Sequence, residues 1–392
     1  MSISQWTTIL RSRRRPGLPA VIVVVLLASL TVTLLGPAAA DTEPDEATGE
    51  HPGLSQQVDA GWHLDRISQR EPPFTGTYDY RYTGDGVRVY VLDTGTRVTH
   101  EDFEGRYVDG YDALGQAAPH EDLEGHGTEV ASAAAGTEHG VAKGATVVSV
   151  RVLDPSDGSR QPEFEPFIGA LDWILETHPD DGTRGVLNVS LDGYLYEDQP
   201  AEAEALESKL EELMAAGLVV VWAADTRGEA DVLFAPERME DVLVVGATTR
   251  DDRLLPGSNF GEEVALYAPG EELTLASNGS DTETDEKLGT SFAAPIVAGA
   301  AALVLEEDPS ASVAEVRRTL LDRATEGAIA DLPEGHNRLV YTLPVPDRLP
   351  TVVPLALSAL LLGLLWWGYR RRSSGRGYDD ALSERSRTSS RA

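Results

Sequence analysis

Three polar residues that could act together chemically stand where predicted strands end or predicted helices begin: Asp93, His126 and Ser291. Asp93 lies in Val-Leu-Asp-Thr-Gly, His126 in Gly-His-Gly-Thr, and Ser291 in Gly-Thr-Ser-Phe-Ala-Ala-Pro. Taken singly, such residues are more often a turn former, a surface histidine and a helix cap. Taken together, they supply a hydroxyl nucleophile, an imidazole base and a carboxylate that orients the base. The set predicts acyl transfer to water.

The helix that Ser291 opens supports the same chemistry. Its backbone N–H groups and the positive end of its dipole would stabilise an oxyanion that forms beside the serine. The residues around Ser291 are small, and Pro295 lies in the first turns of the helix, so a substrate backbone could approach closely.

Predicted strands and helices alternate along the middle of the chain. Continuous apolar strands that alternate with helices predict an α/β fold with a mostly parallel sheet covered on both faces. In such sheets, chemistry gathers where strands end and helices begin. The predicted strands are Val87–Asp93, Thr146–Leu153, Gly185–Leu191, Val219–Ala224, Val242–Ala247 and Val264–Ala268, and the predicted helices are Gly127–Gly136, Pro162–His178, Ala201–Ala216, Gly289–Leu305 and Ser312–Ala324.

The composition excludes several classes of protein. The 392 residues include no cysteine, which rules out a disulfide scaffold, a thiol nucleophile and a cysteine-ligated metal site. A net charge of −33 argues against nucleic acid as a partner, because nucleic acid is itself an anion. Two interpretations of this acidity compete: a surface adapted to high salt, and an arginine-biased composition with a need for solubility, which we favour.

The amino-terminal end has the pattern of a secretory signal peptide. Arginines between positions 11 and 15 precede an apolar run from Leu18 to Leu35, and three small residues end at Ala40. We expect cleavage after Ala40; an uncleaved anchor helix is the alternative.

The carboxyl-terminal end predicts a membrane anchor. The uncharged segment Leu349–Tyr369 would span about 30 Å as a helix, and Arg370–Arg372 follow at once. Positive charge belongs on the cytoplasmic side, so the sequence predicts a single-pass type I protein of the cell membrane with its acidic middle outside the cell. The predicted parts are a signal peptide (1–40), an acidic segment (41–58), a globular domain (59–343), a linker (344–348), a transmembrane helix (349–369) and a basic cytoplasmic tail (370–392).

Over roughly Gly61–Tyr341 the chain resembles the subtilisin-like serine peptidases, and among them the branch of proteinase K. The membrane-anchored layout is similar to that of the mycosins. The matching motifs are Trp62–Ile67, Val89–Gly95, Gly125–Thr128, Gly140–Lys143, Val152–Asp154, Gly289–Pro295 and Gly335–Leu339.

The resemblance implies a three-layer fold and a role for each reactive residue. By this resemblance Ser291 is the nucleophile, His126 the general base and then acid, and Asp93 the group that orients and stabilises the imidazole. It also implies that substrate binds along a strand edge and beside a specificity pocket, at Ser190, Leu191, Asp192, Gly193, Ala223 and Ala224.

Some positions depart from the family pattern. The family has Ala-Ala-Gly-Asn after the strand that ends near Ala224, and the Asn amide donates to the oxyanion. Here Asp225 stands at the Gly position and Thr226 at the Asn position. Loss of one such donor costs on the order of 10²–10³ in turnover, and an ionised Asp225 would repel an oxyanion. The other departures are Glu129, Asp192 and Leu288.

The expected partners are protein or peptide substrates and, through the carboxyl-terminal helix, the membrane. The chemistry itself requires no cofactor. The resemblance implies a structural calcium ion, but Ala265 stands where one of its carboxylates is expected, so that site stays open. Two functions also remain open: a membrane-anchored extracellular serine endopeptidase, slowed by the altered oxyanion site, and a pseudopeptidase that binds peptides or acts as a scaffold. The sequence does not determine the oligomeric state.

Overall fold

The computed structural model describes residues 53–118, 120–154, 161–179, 181–191, 199–230 and 239–344. The predicted signal peptide, transmembrane helix and cytoplasmic tail lie outside the described residues, as do most of the acidic segment and of the linker. Asp192 and Gly193 also lie outside them.

Strands and helices alternate through the described part of the chain, as the sequence predicts. The strands are β1 (Ser55–Val58), β2 (Thr77–Tyr80), β3 (Val87–Asp93), β4 (Tyr107–Asp112), β5 (Thr146–Arg151), β6 (Arg184–Val189), β7 (Leu218–Ala223), β8 (Leu243–Thr248), β9 (Leu266–Pro269), β10 (Leu273–Ala276), β11 (Thr284–Lys287), β12 (Thr325–Glu326) and β13 (Arg338–Leu339). The helices are α1 (Trp62–Ser68), α2 (His126–Ala135), α3 (Phe164–Thr177), α4 (Pro200–Ala215), α5 (Thr290–Glu307) and α6 (Val313–Arg323).

A 9-stranded sheet forms the centre of the domain, in the order β12-β13-β9-β8-β7-β6-β3-β5-β4. Its strand pairs are parallel except for β12 with β13. β3 lies between β5 and β6, with Val89 opposite Val147 on one side and Val186 on the other. The predicted mostly parallel sheet is therefore confirmed.

Helices cover both faces of this sheet. Alternate residues of β3 point to opposite sides, so Val89 packs into one core cluster and Tyr90 into the other. The first cluster includes residues of α1, α2, α5 and α6, and the second includes residues of α3 and α4. Helix α5 is long and apolar enough to cross a membrane, but 83% of it is buried inside the domain, as in the core helix of a globular protein.

Two antiparallel strand pairs lie outside the central sheet. β1 pairs with β2, so a strand forms within the segment predicted as the acidic amino-terminal stretch. β10 pairs with β11, and Lys287 of β11 lies opposite Leu273 of β10. The chain continues from β11 through Gly289 directly into α5, so this hairpin leads to Ser291.

Candidate active site

The carboxylate of Asp93 is buried at the carboxyl end of β3. Its neighbours in the chain secure it: the N–H of Thr94 donates to its Oδ1 at 2.8 Å, and the N–H of Val152 donates to its backbone carbonyl at 2.9 Å. A buried carboxylate keeps its charge only where it is hydrogen-bonded or paired. The location therefore requires a cationic or donating partner.

His126 is that partner. Its Nδ1 lies 2.8 Å from Oδ1 and 3.0 Å from Oδ2 of Asp93, and 22% of its side chain is exposed. The close approach depends on Gly127, because a Cβ at this position would overlap the carbonyl oxygen of Gly95. The glycine after the histidine is thus required for α2 to pack this tightly against the end of β3.

The surrounding charges favour the protonated imidazole. Burial by itself would lower the pKa of His126, but the charge and hydrogen bond of Asp93, with the charges of Glu129 and Glu124, raise that pKa to about 9. A histidine in this setting is a strong base that holds an abstracted proton well.

Asp122 organises the loop before α2, and the sequence analysis missed it. Its Oδ1 accepts the N–H of Gly125 at 2.8 Å and the hydroxyl of Thr94 at 2.9 Å. Its Oδ2 accepts the N–H of Thr128 at 2.8 Å and the hydroxyl of the same residue at 2.6 Å. One carboxylate therefore satisfies the start of α2 and ties it to the residue after Asp93. An aspartate just before a helix start is a capping signal that could have revealed it.

Ser291 lies at the amino end of α5, and no side chain caps this end. The N–H of Phe292 donates to the carbonyl of Gly289 at 3.2 Å, whereas the N–H of Ser291 has no side-chain cap and can bind a ligand. Pro295 has no N–H to give to the carbonyl oxygen of Ser291, four residues earlier. The hydroxyl of Ser190, which is 2% exposed, donates to that carbonyl instead at 2.8 Å. The end of β6 is therefore fastened to the start of α5.

The structure brings the imidazole of His126 next to the first turn of α5. The ring of Phe292, the residue after Ser291, lies 5.3 Å from the ring of His126 between centroids. Ser291 is partly exposed. Among the described residues no hydrogen bond joins its hydroxyl to His126. Such bonds are often long without substrate and tighten when it binds.

Thr226 lies beside the same helix end. Its Oγ1 is 3.3 Å from Oγ1 of Thr290, the residue before Ser291. Asp225 has a φ of 71°, a left-handed conformation that suits the glycine of the family pattern. The Asp225 carboxylate accepts the N–H of Thr226 and lies 3.0 Å from Nε of Arg227. Arg227, whose side chain is 45% exposed, partly balances this charge and reduces the repulsion that the sequence led us to expect.

Comparison with known proteins identifies the family. The model described as "Subtilase family" matches residues 84–339. The extracellular serine proteinase of Thermus sp. (strain Rt41A) is 38% identical over 298 residues, which cover 76% of this chain and 70% of that protein. The chain belongs to the subtilase family.

Two further similarities agree with this membership. A subtilisin-like protease of Coccidioides posadasii (strain C735) is 35% identical to this subtilase over 294 residues, covering 73% of this chain and 69% of that one. The crystal structure of a cold adapted subtilisin-like serine proteinase gives a TM-score of 0.67 at 35% identity, covering 74% of this chain and all of the other. The subtilase is therefore a serine endopeptidase, and the predicted subtilisin-like fold is confirmed.

The predicted substrate-binding residues lie where β6 and β7 end. The side chains of four of them, Ser190, Leu191, Ala223 and Ala224, are buried. Asp192 and Gly193 lie outside the described residues.

The calcium site that the resemblance implies lacks one of its carboxylates. Ala265 is buried and carries no side-chain oxygen, whereas Ca²⁺ is bound through oxygen ligands. Within the described ranges of this subtilase, no group of three His, Asp or Glu side chains could hold a metal ion.

Proposed function

We propose that this subtilase is a membrane-anchored extracellular serine endopeptidase in which Ser291, His126 and Asp93 carry out peptide hydrolysis. The observation that supports this most strongly is the buried carboxylate of Asp93, 2.8 Å from Nδ1 of His126. This contact leaves Nε2 as the basic nitrogen of the ring, and the first turn of α5 lies next to that ring.

In the proposed reaction the hydroxyl oxygen of Ser291 attacks the peptide carbonyl carbon, and Nε2 of His126 takes the hydroxyl proton. His126 then gives this proton to the leaving amine, and the acyl group stays on Ser291. A water molecule, deprotonated by the same Nε2, cleaves the acyl-enzyme. Asp93 keeps the proton on Nδ1 and stabilises the imidazolium in both halves of the reaction.

The oxyanion would be held at the start of α5. We assign one donor to the backbone N–H of Ser291, because no side chain caps that end of the helix. The second donor is the hydroxyl of Thr226, which is shorter than the asparagine amide expected at this position. The hydrogen bond to the oxyanion is then weaker, and turnover should be slower than in a subtilase with asparagine.

The membrane anchor rests on the sequence. Segment 349–369 is uncharged and long enough to cross the hydrocarbon core, with arginines immediately after it. The test is to express the full chain beside a chain that ends at Arg348. The full chain should sediment with membranes and the truncated chain should appear in the medium; sedimentation of both would refute the anchor at this segment.

Activity is tested on the full chain in detergent-solubilised membranes. We expect labelling by a serine-reactive fluorophosphonate and cleavage in a mixed peptide library, with Ser291→Ala as the control that loses both.

A pseudopeptidase is the second candidate, and the observation that favours it is Thr226 at the asparagine position. Absence of both labelling and cleavage above the alanine control would support this candidate. Peptide binding by Ser291→Ala, measured by isothermal titration calorimetry, would then indicate a binding module.

A further inference from the structure

A partly buried ion pair joins the helix that begins with His126 to the segment that leads to Ser291. Oε1 of Glu129 lies 2.7 Å from Nζ of Lys287. The side chain of Glu129 is 6% exposed and that of Lys287 is 30% exposed. Glu129 is one of the positions at which this chain departs from the family pattern.

The position of each partner relates it to a reactive residue. Glu129 is one helical turn after His126, so the two side chains share a face of α2. Lys287 ends β11, and four residues later the chain reaches Ser291. Backbone contacts also fix the segment between Lys287 and Ser291. Lys287 pairs with Leu273 of β10, and the N–H of Gly289 donates to the carbonyl of Gly270 at 2.8 Å.

We propose that the ion pair between Glu129 and Lys287, here called the clamp, sets the spacing between the imidazole of His126 and the hydroxyl of Ser291. Both members of the clamp are thus positioning residues for the reaction proposed above, on which this inference rests. An error of about 1 Å in the distance between reacting groups can cost up to a hundredfold in rate. A contact that joins α2, which carries His126, to the segment that leads to Ser291 should therefore affect the rate.

The charges around the clamp give it a second effect. His126 is faced by Asp93 from β3, Glu124 from the preceding loop and Glu129 from its own helix, and the three charges raise its pKa. Burial raises the pKa of Glu129 to about 7, against the hydrogen bond and charge of Lys287. Glu129 is therefore ionised above about pH 7, and there its charge favours protonated His126.

The test separates positioning from charge by the pH profile of kcat/KM. Glu129→Gln removes the ion pair and the negative charge, so the plateau should fall about tenfold and the midpoint of the acid limb should move about one unit lower. Lys287→Met should act in the same direction, because it leaves a buried carboxyl group that stays neutral. The exchanged variant E129K/K287E restores an ion pair, so its plateau should recover while its midpoint moves lower still.

Glu307→Gln is the matched control. It breaks another 2.7 Å ion pair, with Arg323, at the far end of α5, about 24 Å along the helix from Ser291. Glu307→Gln should lower the free energy of unfolding without moving the midpoint of the acid limb of the kcat/KM profile. A Glu129→Gln profile with an unchanged midpoint and a plateau within twofold of the parent would overturn the proposal.

A measurement that needs no hydrolysis separates this proposal from the proposed function. In the full chain carrying Ser291→Ala, the His126 ring is titrated by nitrogen-15 NMR, its signal assigned by its loss in His126→Gln. Glu129→Gln should lower this titration midpoint by about one unit. If the parent chain hydrolyses nothing but the midpoint moves, the proposed function fails and the charge effect of the clamp stands. If hydrolysis occurs but Glu129→Gln moves neither the midpoint of the kcat/KM profile nor that of the His126 titration, the proposed role of the clamp is refuted.

Discussion

The hydroxyl of Ser190 substitutes for a helix hydrogen bond that Pro295 cannot make. In a regular α-helix, the N–H of residue 295 donates to the carbonyl of residue 291. Here that carbonyl accepts from Ser190 at 2.8 Å instead. Ser190→Ala would leave this partly buried carbonyl without its donor, which should lower the free energy of unfolding by about 1–2 kcal/mol.

A second substitution should restore the hydrogen bond to the carbonyl of Ser291 that Ser190→Ala removes. Pro295→Ala supplies an N–H four residues after Ser291, so it should be nearly neutral alone and stabilising in the Ser190→Ala background. The coupling energy of the cycle should be about 1–2 kcal/mol. The assay is denaturant unfolding of the four chains, carried out in parallel with kcat/KM.

A matched serine provides the control. Ser258 is also buried; its hydroxyl donates to the carbonyl of Asn259 at 3.0 Å and accepts the N–H of Ala247 at 2.9 Å, and neither partner belongs to α5. Ser258→Ala should be destabilising and should show no coupling to Pro295→Ala. If S190A/P295A is as unstable as the sum of its single variants, the carbonyl of Ser291 does not depend on Ser190 for its hydrogen bond.

Three other outcomes are expected. Thr226→Asn should raise kcat by on the order of 10-fold to 100-fold, because the longer amide is the better oxyanion donor. Thr226→Val should lower kcat, because it removes the hydroxyl. Equal kcat values for the parent and both variants would exclude Thr226 from the oxyanion site. The value of kcat/KM should rise with pH to a midpoint well above 6.5, since the base must be neutral and its pKa is raised; a midpoint at or below 6.5 would contradict this. Burial lowers the pKa of His63 to about 4, so the folded protein favours the neutral imidazole. The free energy of unfolding should therefore decrease as the pH falls from about 6.5 to 4, by about 3 kcal/mol in total. His63→Gln should remove this decrease from the dependence of unfolding free energy on pH.

Local patterns predicted the central elements well. The strand Val87–Asp93 was predicted with the bounds that the structure gives it, because a buried parallel strand is apolar on both faces and its glycine neighbours mark its ends. Ser312 and Glu315 form the predicted capping box before α6. Both features depend on residues close together in the sequence.

Elements with exposed or short strands were missed. β11 (Thr284–Lys287) is polar and mostly exposed, so it has no apolar alternation that would indicate a strand. It forms by pairing with β10, which is a tertiary contact. Asp122 was missed for a related reason: four of its five donors lie within the six residues after it, but only folding brings the fifth, the hydroxyl of Thr94, to this carboxylate.

The sequence by itself determined the chemical groups, their order along the chain and the elements that carry them, because residue types and hydrophobic period are local properties. Only the tertiary structure decided which groups touch: it gives the distance between Asp93 and His126, whose pairing the resemblance implied, and it alone shows Ser190 with the carbonyl of Ser291 and Glu129 with Lys287. Each pair is far apart in the chain, and a shift of one residue in strand register would separate it. Such contacts follow from how the sheet and helices pack as a whole, which no local pattern encodes.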